Sequence, residues 1–231
     1  MSSFETDRRS LFGVGAALAG VGLVAAPGAA QGTSPTGWRP TNDAADDWME
    51  RPGARHRLVF DTTTAEAGSG AMDYAMNFIH ANEVGYGLKP QDLGVIIVLR
   101  HMSTPYGFGN ASWKKYGRQI ARSLELKGEE AIDGATMNPL LVKPTGSPPK
   151  GAEWAWGAPL TLLAEKGGMF AVCELATQGM AMQLASKTGG NAKAIEAELK
   201  ADLVPGAHMV PAGIVAVNRA QERGYAFAYV S

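Results

Sequence analysis

From about residue 57 onward the apolar positions follow two alternating rhythms. Leu93-Gly94-Val95-Ile96-Ile97-Val98-Leu99 is a continuous apolar run between turn signals, the pattern of a strand buried on both faces of a parallel sheet. Shorter runs at Arg57–Asp61, Met169–Val172, Ala207–Val210 and Tyr225–Val230 predict further strands. Between them the spacing turns helical. Met72, Ala75, Met76 and Ile79 predict an amphipathic helix over 71–84, preceded by a Thr62-Thr63-Thr64 turn and a Gly68-Ser69-Gly70 loop. Further helices are predicted at Leu160–Lys166, Glu174–Lys187, Asn191–Ala201 and Gly213–Arg223. Strands alternating with helices predict an α/β fold: a three-layer sandwich around a mainly parallel sheet of about five strands.

Two stretches break the rhythm. Residues 31–54 are rich in Gly, Pro, Ser, Thr and Asp and predict a linker or surface-hugging arm, with Trp38 and Trp48 as anchor points. Residues 101–157 form an enlarged middle region. In it His101–Asn110 reads as loop, Trp113–Leu126 as helix, and 133–153 as an irregular excursion around Pro144, Pro148 and Pro149. Its aromatics (Tyr106, Phe108, Trp113, Tyr116, Trp154 and Trp156) suit either an interface or a satellite core.

Composition changes this picture at one end only. The chain of 231 residues is 45% hydrophobic and 19% charged, which suits one globular domain of residues 55–231. Asp7-Arg8-Arg9-Ser10-Leu11-Phe12 opens a Gly/Ala-rich stretch to about Ala26, and AAPGAAQ offers a cleavage site after Ala30. Residues 1–30 therefore predict a twin-arginine signal peptide and export to the periplasm. The stretch is short for the ~20 apolar residues of a spanning helix, so no stable membrane span is expected after cleavage. Cleavage removes two acidic and two basic side chains (Glu5, Asp7, Arg8 and Arg9) and leaves the net charge at −1. A near-neutral chain gives no electrostatic case for nucleic acid.

The chemistry concentrates on Cys173, the one cysteine, at a predicted strand-to-helix junction. A helix N-terminus there favours the reactive thiolate, while Glu174 opposes it. In an oxidising compartment a lone thiol is either buried or used. His101, at the end of the Leu93–Leu99 strand, is the candidate proton partner. Asp61–Thr64, His101–Thr104 and Cys173 all fall at carboxyl ends of strands, where open α/β sheets bind ligands. His208, within a strand, reads as structural, and His80 and His56 receive no role. Cys173, His101, His208, Met102 and Met209 are soft or borderline ligands, yet no pair has a blue-copper or zinc spacing, so no metal is assigned. No Gly-x-Gly-x-x-Gly, Walker loop or Gly-x-Ser-x-Gly elbow is present, and no cofactor is assigned.

The order of elements, with its cysteine, resembles the DsrE/DsrF-like family of sulfur-relay proteins. The matching residues are Arg57–Asp61, Val95–His101, Phe170–Cys173, Leu203–Gly213 (LVPGAHMVPAG) and Ala220–Ala226 (AQERGYA). Together they span about residues 56–230. The chain departs from the family pattern in its export signal and its long 101–157 stretch. The resemblance implies a DsrE-like fold, a persulfide carried on Cys173, a sulfur donor or acceptor protein or small thiol as partner, and a homo-oligomer. The competing expectation is a non-catalytic ligand-binding or assembly protein with Cys173 as buried packing.

Overall fold

The five apolar runs become five strands: β1 (His56–Thr62), β2 (Leu93–Leu99), β3 (Met169–Cys173), β4 (Ala207–Val210) and β5 (Ala226–Val230). They form one sheet in the order β4-β3-β2-β1-β5, and every pairing is parallel. The computed structural model describes residues 40, 42–126 and 135–231, and Pro40–Ser231 form one unit. The predicted export segment, its cleavage site and Trp38 lie outside the described residues.

Parallel pairing requires crossovers, and helices supply them: α1 (Ala65–Tyr86), α2 (Asn110–Ser123), α3 (Pro159–Glu165), α4 (Glu174–Thr188), α5 (Ala192–Ala201) and α6 (Gly213–Glu222). The sheet grows in one direction from β1 to β4, which puts the intervening helices on one face. The return from β4 to β5 reverses direction, so α6 crosses the opposite face. Alternation along the strands matches this division. Phe60, Val95, Ile97, Leu99, Phe170 and Val172 join the larger core with α1 to α5. Val59, Ile96, Val98, Ala171 and Val210 join a smaller core with Ala216, Val217 and Ala220 of α6. The molecule is thus a three-layer α/β sandwich. No helix among the described residues is long and apolar enough to cross a membrane.

Three local expectations change. Gly68-Ser69-Gly70 is helix rather than loop, because Thr64 caps α1 by accepting from the Ala67 N–H. A Cβ on Gly68 would lie 2.8 Å from the Tyr106 ring, so this glycine lets α1 press against the middle region. His101–Gly107 is a 3-10 helix with a buried body rather than a loop. Its hydroxyls hold the strand ends. Ser103 donates to the carbonyls of Thr62 and Arg100, Thr62 donates to that of Val98, and Thr104 reaches that of Leu99. The next helix runs Asn110–Ser123, and Asp202 caps it from outside by accepting from Ser112 N–H.

The middle region is core, not an exposed aromatic interface. Tyr106, Phe108, Trp113 and Tyr116 are all buried on the larger face. Asn138, fully buried, donates to the carbonyls of Tyr106 and Phe108 and stitches the excursion back onto this layer. Trp154 stacks on His80 at 4.0 Å. The N-terminal arm hugs the other face through a 3-10 turn at Ala44–Met49. There Met49 is buried, Tyr225 donates to its carbonyl at 2.7 Å, and Arg223 donates to that of Asp43.

Candidate functional site

Cys173 is the last residue of β3 and the N-cap of α4. Its side chain follows Ala171 by two, so it lies on the α6 face of the sheet. Its partner across the ladder is Val210, the last residue of β4. From Cys173 the chain turns to α4 on one face, and from Val210 it turns to α6 on the other. The carboxyl ends of β3 and β4 therefore flank the point where the crossovers diverge, which is where open α/β sheets form a crevice. Neither helix has a side-chain cap at this end, which leaves first-turn N–H groups of both directed at the crevice.

The neighbouring strand brings a charge. Leu99 pairs with Val172, so Arg100 stands one step further, level with Cys173 and on the same face. Asp61 of β1 shares that face. Arg100 donates from Nε and Nη2 to the two Asp61 oxygens at 2.7 and 2.8 Å, a bidentate fork. Asp61 is buried, with 3% of its side chain exposed, against 26% for Arg100. The hydrogen-bonded Asp61 carboxylate holds the Arg100 guanidinium above its ordinary range against burial; Asp61, Tyr229 and Cys173 add Coulombic attraction in the same direction. Gly213, the first residue of α6, lies directly over this pair. A Cβ there would come within 2.5 Å of the Arg100 Cβ, so only glycine lets the helix N-terminus approach so closely.

The charge of Glu174, which opposes a thiolate at this junction, is engaged by Lys200 of α5 in an ion pair. Thr177 closes the first turn of α4 by donating to the Cys173 carbonyl at 2.9 Å. Cys173 itself is 7% exposed. The rim beside it is apolar and open: Leu175 is 62% exposed, Ile214 56% and Val215 41%.

His101 sits next to Arg100 in sequence, with a backbone φ of 56°, a left-handed conformation that costs a non-glycine residue energy and is common at functional corners. Its ring is exposed and lines a cleft of about 240 Å³ with Met102, Ala176 and Met180. That cleft opens on the α4 side, and no hydrogen bond joins His101 to Cys173. Arg100 is the side chain level with Cys173 on its face, and sequence reasoning missed it. The available signal was Asp61 and Arg100, opposite charges ending two adjacent apolar strands.

His208 stacks on Trp48 at 4.3 Å and ties the N-terminal arm to β4, in keeping with a structural role. Burial pushes its imidazole below the usual range. A depressed base is protonated in the unfolded chain first, so stability falls as pH drops below the unfolded value of about 6.5. The stability advantage of pH 7.5 over pH 5 is expected to shrink in His208→Gln; an unchanged difference in melting temperature would contradict the assignment. Among the described residues no three His, Cys, Asp or Glu side chains cluster to hold a metal ion. Comparison with protein-family models and with curated proteins found no match for this chain.

Proposed function

We propose that this chain is a DsrE-like sulfur carrier, exported to the periplasm by the twin-arginine route, that accepts sulfur as a persulfide on Cys173 and hands it to a protein or small thiol. The observation that carries the reading is the position of Cys173. It stands at the carboxyl end of a central strand, on the divergence of two crossovers, level with an arginine and beside two uncapped helix ends. These surroundings suit an anionic sulfur. The bare aromatics of edge strand β5, Phe227 at 46% and Tyr229 at 54% exposure, are consistent with a homo-oligomer. His101 is the proton partner in this reading, acting through solvent because its ring opens into the cleft beside α4.

The low exposure of Cys173 favours the second reading, a binding or assembly protein in which the thiol is packing. Intact mass after incubation with thiosulfate or polysulfide separates the two. The carrier should gain whole sulfur atoms that a reductant removes, and Cys173→Ser should gain none. A wild-type mass that never changes would leave only the packing role.

A further inference from the structure

We infer that Arg100, pinned by Asp61, makes this crevice selective for a small sulfur oxyanion of the thiosulfate type as the donor to Cys173. The inference rests on the carrier reading above and adds the donor class and the residue that selects it. Asp61 occupies the Nε and Nη2 edge of the guanidinium with both its oxygens. The fork is thereby fixed in plane, and Nη1 keeps donors that no group among the described residues takes. A planar guanidinium edge matches the oxygens of a sulfonate or sulfate far better than it matches a neutral thiol. Asp61 cancels much of the arginine's charge at long range. What remains is directional hydrogen bonding, to which the first-turn N–H groups of α4 and α6 add.

The step balances without a further reactant. The Cys173 thiolate, its proton already lost to solvent, attacks the outer sulfur of thiosulfate. A cysteine–sulfur bond forms, the sulfur–sulfonate bond breaks, and its electron pair leaves on sulfite. The cysteine sulfur rises one oxidation level and the sulfonate sulfur falls one, leaving a persulfide. Arg100 acts on the oxygens of the departing group, where negative charge grows. A polysulfide carries no oxygen, so it offers the planar edge no matching pair of acceptors.

The test uses the full chain and three probes: thiosulfate, sodium tetrasulfide and iodoacetamide. The variant is the pair Asp61→Asn with Arg100→Gln, which removes both charges without stranding a buried carboxylate. The thiosulfate concentration for half-loading is expected to rise about tenfold or more, the effect of losing a charge-assisted hydrogen bond. Loading by tetrasulfide and alkylation of Cys173 report any change in the thiolate itself, and the loss with thiosulfate should exceed theirs by about threefold or more, because neither probe presents an oxyanion. Arg100→Lys, which keeps the charge and loses the fork, should fall between, and it decides the matter if the double variant does not fold. An unchanged thiosulfate dependence, or an equal loss with all three probes, overturns the role of Arg100 while leaving the carrier intact. Wild-type protein that takes no removable sulfur from either donor overturns both.

Discussion

Trp113→Ala is expected to destabilise the protein by about 3–5 kcal/mol, the range for deleting a large buried aromatic side chain. Trp113 has no exposed surface, and its indole N–H donates to the Pro105 carbonyl at 3.1 Å. Its ring stacks on Tyr106 with centroids 6.4 Å apart. Truncation therefore opens a cavity and removes one of the two hydrogen bonds that the Pro105 carbonyl accepts, the other coming from the Phe108 N–H. For a domain of this size the melting temperature should fall by roughly 10 °C. Trp156→Ala, at a half-buried position of the same region, should change it little. Thermal unfolding followed by circular dichroism checks both. Equal, small effects would mean that the middle region does not belong to the core.

The second large effect concerns the pair at the site. Arg100→Met should cost roughly 3–5 kcal/mol, because it leaves the Asp61 carboxylate buried without its partner. The pair as a whole contributes far less than this loss, since removing two charges from water offsets most of their attraction. Adding Asp61→Asn to Arg100→Met should therefore recover most of the stability, within about 1 kcal/mol of wild type. Urea unfolding of the single and double variants measures the coupling. If the double variant were no more stable than the single one, the cost would lie in lost packing, and Asp61 would not be the group that Arg100 satisfies.

These two residues also mark where sequence reading reached and where it stopped. The strands at Leu93–Leu99 and Ala207–Val210 were legible to the residue, and the other three to within one residue at either end. A strand buried on both faces must be apolar throughout, and that signal needs no partner. The start of α1 was hidden by Gly68 and Gly70, which read as loop. Gly68 is required there because it faces Tyr106, a contact 38 residues away in sequence, whereas a side chain at Gly70 would meet open space. The 3-10 segment at His101–Gly107 was hidden for a similar reason. Its order comes from hydroxyls bonding strand-end carbonyls, and no local periodicity records that. At the site, Cys173 and His101 could be placed at strand ends, but Arg100 emerged only when register put it level with the cysteine.

By itself the sequence determined the element types, the parallel architecture and the position of one thiol at a strand-to-helix junction. Those follow from hydrophobic period and turn residues. The tertiary structure decided which side chains meet that thiol. Strand order β4-β3-β2-β1-β5 sends α4 and α6 to opposite faces and sets the phase of each strand. With the phase fixed, Arg100 and Asp61 share the cysteine's face and the ring of His101 opens into the cleft beside α4. A shift of one residue in that register would have reversed the assignment, because neighbouring positions on a strand point to opposite sides of the sheet.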